Sequence, residues 1–92
     1  MFNVNRATLL GHATEDARQT NGQTVIGLAT IHKRNGETET TDHHRLLCTG
    51  ALAEFASRQV KAGAPLYVEG RLQTEKETVI LVDRLVLLST RK

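Results

Sequence analysis

Short apolar runs, separated by glycine, asparagine and charged stretches, divide the chain into segments of two different periods from which strands and helices are read. Ala7, Leu9 and Leu10, between Asn5 and the turn-prone Gly11-His12, predict a first strand over Asn5 to Gly11. Glu15 to Gly22 is polar and reads as a connection. It holds Asn21-Gly22, a dipeptide that readily takes the positive φ angles of a hairpin turn, so a second strand is expected at once. Thr24 to His32 supplies it with Val25, Ile26, Leu28 and Ile31, and Gly27 marks the place of a bulge or barrel bend. Lys33 to Asp42 reads as a polar loop with a second hairpin signal, Asn35-Gly36. His43 to Thr49 follows as a mostly buried third strand that pairs with the second.

From Ala51 to Ala62 the period becomes helical, with Leu52, Phe55, Ala56 and Val60 on one face, Gly63 as C-terminal cap and Pro65 beyond it. Phe55 is expected in the core. Leu66, Val68 and Leu72 then alternate with Tyr67, Glu69, Arg71 and Gln73, and Val79 to Leu88 forms a last strand after the charged turn Glu75-Lys76-Glu77. Three strands, a helix and two strands is the order of the OB fold, an all-β, five-stranded Greek-key barrel with one α-helix between strands 3 and 4. No linker or repeat divides residues 1–92, so a single domain is expected, without parallel strands or a second helix of similar length.

Composition adds limits. A chain of 92 residues buries only about 60% of its unfolded surface. Self-association would cover apolar area that one small core cannot, and a homo-oligomer is expected, tetramer before dimer. The single cysteine, Cys48, allows no internal disulfide, and no charged segment followed by an apolar one opens the chain, so the cytoplasm is the expected compartment. An apolar run as long as any in the chain, Leu85 to Leu88, is far short of the roughly 20 residues of a membrane span, and no membrane partner is expected. Twelve Lys and Arg against ten Asp and Glu leave +2, which permits nucleic-acid binding without arguing strongly for it. Phe2, Phe55 and Tyr67 are the only aromatics, few for a protein that stacks unpaired bases.

Several stretches carry a resemblance: Asn5-Arg6-Ala7-Thr8-Leu9-Leu10-Gly11, Asn21-Gly22-Gln23, Leu28-Ala29-Thr30, His44-Arg45, Gly50-Ala51-Leu52-Ala53-Glu54, Lys61-Ala62-Gly63 and Tyr67-Val68-Glu69-Gly70-Arg71-Leu72. In this order they resemble the bacterial single-stranded DNA-binding protein family. The resemblance implies an OB fold, a homotetramer, and sequence-tolerant wrapping of unpaired DNA in replication, recombination and repair. It implies Leu9, His44 and Tyr67 as candidate oligomer contacts, Tyr67 being alternatively a stacking face. The outward basic positions Arg6, Arg45, Arg71 and Lys76 suit a groove tracking phosphates. With Lys33, Arg34 and His43 they make up the candidate DNA-binding set.

The departures are specific. Where the family carries stacking aromatics this chain reads His43, Thr49 and Glu77, with Arg34 near a fourth such position. Arg34 and His43 are planar and offer partial stacking, whereas Glu77 repels phosphate. The turn between the last two strands is short where the family projects a long hairpin. The chain ends at Lys92, so the family's acidic recruiting tail is expected to be absent.

Catalytic and metal readings fare poorly. Asp42-His43-His44 with Cys48 suggests zinc by residue type, but adjacent strand residues point to opposite faces. His44 and Cys48 share a face yet sit roughly 13 Å apart, too far for a nucleophilic pair. No Gly-rich phosphate loop, paired-carboxylate motif or Ser-His-Asp framework occurs. No enzyme activity, cofactor or metal is therefore expected. Two functions remain: a module binding single-stranded DNA without sequence specificity, favoured by the basic strand positions; and an OB-fold protein-interaction or assembly factor, such as a primosomal replication-restart component, favoured by the missing aromatics.

Overall fold

The structure, a computed structural model, describes residues 3–33, 36, 38–74 and 76–88. In chain order the elements are β1 (Ala7–Ala13), β2 (Arg18–Thr20), β3 (Gln23–Lys33), β4 (Glu39–Thr49), α1 (Gly50–Gln59), β5 (Pro65–Thr74) and β6 (Thr78–Leu87). Strands follow each other as β1-β5-β6-β4-β3, and β1 returns to β3 through His12 opposite Ala29 and Ala13 opposite Leu28. The ring is thereby closed. It is the OB barrel expected from the element order, with α1 between the third and fourth barrel strands. No described helix is long and apolar enough to cross a membrane.

Several expectations are corrected. One seam is parallel, Leu46 beside Ile80 and Leu47 beside Leu81, because β4 and β6 are joined through a helical crossover and β5 rather than a hairpin. The polar segment before Asn21-Gly22 is a strand, β2, paired from Arg18 opposite Val25 to Thr20 opposite Gln23. Asn21 (φ 51°) and Gly22 (φ 78°) both take the positive φ that a two-residue hairpin turn demands. The expected loop over Lys33 to Asp42 is mostly ladder, since β3 and β4 pair as far as Lys33 opposite Glu39. Both faces of this projecting hairpin meet solvent, so its sequence lacks the alternation that marks a half-buried strand.

Gly27 is not a bulge: it sits in unbroken register opposite Arg45. The irregularity lies instead between Glu69 and Gly70 of β5, where Arg84 and Val82 are the successive partners and Asp83 is left over. Gly27 is needed for space, because a Cβ there would lie 2.6 Å from Thr14 Oγ1. The helix stops at Gln59 rather than Ala62, with Val60 already extended. Gly63 serves the following turn, closed by Ala64 N–H donating to the Lys61 carbonyl at 3.0 Å.

Inward residues of every barrel strand meet α1 in one core: Ala13, Ile26, Leu28, Leu46, Cys48, Leu66, Val68, Ile80 and Val82 against Ala53, Ala56 and Val60. Small alanines let the helix backbone approach the barrel closely. The buried stripe is thus centred on Ala53 and Ala56, and Phe55, expected in the core, is turned outward at 39% exposure. Thr24, the buried polar residue of β3, is satisfied by donating from Oγ1 to the Ala53 carbonyl at 2.6 Å.

Burial pushes the Cys48 thiol up to about 11. The fold thus favours the neutral thiol: its contribution is complete below about pH 9 and is lost as pH rises from there towards 11. Urea midpoints should fall between pH 9 and 11 by more in the parent protein than in Cys48→Ala, the excess being on the order of 2 kcal/mol. Equal losses would show that the thiolate is accommodated without cost.

Candidate nucleic-acid interface

The ladder registers align one outward row across five strands. Arg18 of β2 lies opposite Val25 of β3, Val25 opposite Leu47 of β4, Leu47 beside Leu81 of β6, and Leu81 opposite Arg71 of β5. Val25, Leu47 and Leu81 are half-buried, and Arg18 and Arg71 are exposed. A strip about 19 Å long therefore has an apolar floor and a guanidinium at each end. One end is reinforced. Asn5 grips the backbone of Leu72, Nδ2 donating to its carbonyl at 2.8 Å and Oδ1 accepting its N–H at 2.9 Å. With Ala7 opposite Gly70, this leaves Arg6 next to Arg71.

The other end is also pinned. Ala17 N–H donates to the Val60 carbonyl at 3.1 Å, and Asp16 Oδ1 accepts the Ala62 N–H at 2.8 Å, which fixes the loop delivering Arg18. Arg18 was absent from the sequence-derived set. The signal was available, since an Asn-Gly turn needs a strand on both sides and Arg18-Gln19-Thr20 is the other arm.

Next to this strip His43 and Arg45 project from β4, with Gly27 opposite Arg45, and border a hollow of about 300 Å³. Thr14, Glu15, Arg18, Val25, His43, Arg45, Glu77 and Thr78 line it. A neighbouring hollow is lined by Leu47, Gln73, Lys76, Glu77 and Val79. Glu77 stands on the rim of both. Its Oε2 accepts from Arg45 Nη1 at 2.7 Å, and both side chains are more than half exposed. Arg45, expected in a groove tracking phosphates, is thus engaged by a carboxylate. An exposed pair of this kind is worth about 0–1 kcal/mol and opens readily.

Of the expected DNA-binding residues, the structure gathers Arg71, Arg45, His43, Lys76 and Arg6 on or beside this surface. Lys33 lies away from it, on the projecting β3-β4 hairpin, and Arg34 falls outside the described residues. The candidate oligomer residues separate. Leu9 packs against the core, so the outward residue of β1 is its neighbour Leu10, 62% exposed. Tyr67 lies opposite Leu10 on one side and Val86 on the other, on the outer face of β1, β5 and β6. Its hydroxyl donates to Glu69, which raises its pKa above the usual tyrosine value. His44 points away from His43, and its Nε2 lies 2.9 Å from Thr30 Oγ1, a structural pairing.

The model of the Single-strand binding protein family matches residues 4–80. The chain belongs to this family. A curated relative, Single-stranded DNA-binding protein 1 of Chlorobaculum tepidum, is 38% identical over 80 residues, covering 77% of this chain and 49% of the relative. The chain spans about half the length of that relative. A Plasmodium falciparum SSB complex with ssDNA matches at TM-score 0.78 and 23% identity, covering 97% of this chain and 98% of that one. This second likeness concerns the fold. On this chain His43, Thr49 and Glu77 are all exposed.

Proposed function

We propose that the chain binds single-stranded DNA along the strip from Arg18 to the Arg6-Arg71 end, acting as a non-enzymatic binding module in replication, recombination or repair. The observation that carries this is the single row in which Val25, Leu47 and Leu81 form an apolar floor between guanidiniums. Bases pack on such a floor while phosphates reach the cations at its ends, a division that needs no particular base sequence. Family membership supports the reading. The cytoplasm, where a lone buried thiol stays reduced, is the compartment we assign to it.

Titration of fluorescently labelled oligothymidine at two salt concentrations tests the proposal. Without aromatic platforms the attraction rests mainly on cations, and each neutralised phosphate contributes about −0.7 to the slope of log affinity against log salt. Four contacts give a slope near −3. Arg18→Ala with Arg71→Ala should remove about half of that slope. No affinity for a 35-nucleotide oligothymidine at low salt and 100 micromolar protein would end the DNA reading and favour a protein-interaction module, such as a primosomal component, instead.

Self-association is part of the same proposal. Leu10, Tyr67 and Val86 form an outward row on β1, β5 and β6, the face a second copy would cover. Sedimentation equilibrium should give a multiple of 10.2 kDa, tetramer before dimer, and Leu10→Glu should shift it towards the monomer. A parent mass of one chain at micromolar concentration would remove this part.

A further inference from the structure

We propose that the Arg45-Glu77 pair reads a base edge and gives this surface a preference for guanine. The inference rests on the nucleic-acid reading above and concerns only the hollow beside the apolar strip. That hollow is poorly made for a phosphate, since Glu15 and Glu77 stand on its rim with Arg18 and Arg45, and two carboxylates oppose an anion. A base is uncharged. At about 300 Å³ the space is at the low end for ligand pockets, suited to one flat group rather than a whole nucleotide. Gly27, opposite Arg45, and the Thr14 side chain packed beside it border this space.

The pair presents a donor and an acceptor side by side. Arg45 Nη1 and Glu77 Oε2 are 2.7 Å apart, and more than half of each side chain is open to solvent. Ionised carboxylates only accept hydrogen bonds, and guanidiniums only donate. Guanine alone among the DNA bases has two neighbouring N–H donors on its Watson–Crick edge, N1–H and the N2 amino group, next to the acceptor O6. Both oxygens of Glu77 are matched by those donors, and Arg45 is matched by O6. Cytosine offers the carboxylate one amino group; thymine offers one ring N–H; adenine offers one amino group. The weak, exposed ion pair opens at little cost when a base takes its place. An acceptor and a donor at this place read a base edge, where an aromatic ring would stack on any base.

The test is a set of oligothymidines carrying one central dG, dI, dC or dA, titrated against the intact chain by fluorescence anisotropy. The dG strand should bind about fivefold tighter than unsubstituted oligothymidine, the low end of a bidentate base contact. The dI strand, lacking only the N2 amino group, should fall between them. In Glu77→Gln, which keeps the size and removes the charge, the dG advantage should shrink to within about twofold while affinity for oligothymidine rises, because a carboxylate opposing phosphate is gone. A destabilised variant would lower both affinities, so the ratio separates recognition from folding. Equal binding of dG and unsubstituted strands by the parent protein, a dC strand preferred over dG, or a dG advantage that survives Glu77→Gln would each overturn the preference and leave the DNA reading standing. No binding to any of the strands would remove both.

Discussion

Gly70→Ala should unfold the domain well below the melting temperature of the parent protein. A Cβ at this position would lie 2.1 Å from the carbonyl oxygen of Leu81, and that oxygen belongs to the backbone of β6, which cannot swing aside as a side chain does. Gly70 sits at the irregularity between β5 and β6, so one strand would have to be pushed off the other where Leu81 also forms the parallel seam with Leu47. Overpacking costs about 1–3 kcal/mol when side chains absorb it; displaced backbone belongs at or above the upper figure. A domain of this length has roughly 5–14 kcal/mol in total. The midpoint should drop by about 12 °C or more in thermal denaturation followed by circular dichroism. Gly22→Ala is the control. Gly22 has φ +78° with nothing near its absent Cβ, so only backbone strain of about 1–2 kcal/mol is expected. Comparable losses in the two variants would show that the barrel relaxes around Gly70.

Gly11 has the same role at the other closure. Its Cβ would meet the Ala29 carbonyl oxygen at 2.2 Å, where β1 leaves β5 and turns to β3. Gly70 does not stand out in the sequence, and Gly11 was read with His12 as a turn ending the first strand, whereas β1 runs on to Ala13. Gly27 was read as the place of a bulge or barrel bend, the local meaning of an isolated glycine in a β-branched run, yet its close neighbour is Thr14, just past the end of β1 and 13 residues away in sequence.

The same division between local and distant causes runs through the rest of the fold. β1, β3, β5 and β6 were legible because each alternates between a buried and an open face, and the Asn21-Gly22 turn because its φ requirement is local. β2 and the outer half of the β3-β4 hairpin were not, since both of their faces are wet and nothing in their pattern separates ladder from loop. Phe55 was assigned inward by helical spacing alone. That spacing defines a stripe but not its centre, and the centre is set by which side chains let α1 approach the barrel. At the candidate site, the basic character of Arg45 and Arg71 was visible in the sequence. The partnership of Arg45 with Glu77, 32 residues away, depends on β6 entering beside β4 and was not.

Glu77→Trp should raise affinity for oligothymidine by about ten- to a hundredfold at low salt. Two effects combine. The substitution removes a carboxylate that opposes phosphate and frees Arg45 from its ion pair; it also places an aromatic face beside the hollow, and stacking contributes about 1–3 kcal/mol per base. Glu77→Gln separates them, because it removes the charge without adding a ring. Its gain should fade as salt screens the phosphate contacts, whereas the additional gain of Glu77→Trp should persist. The chain contains no tryptophan, so the introduced indole is its sole reporter of that type, and its fluorescence should be quenched in step with binding if a base stacks on it. Because Glu77 is exposed and lies in the connection between β5 and β6, neither variant should alter the melting temperature by more than a few degrees. Should Glu77→Trp bind no tighter than Glu77→Gln, with indole fluorescence unchanged on saturation, no base passes over this rim, and the strand must run along the apolar strip without entering the hollow.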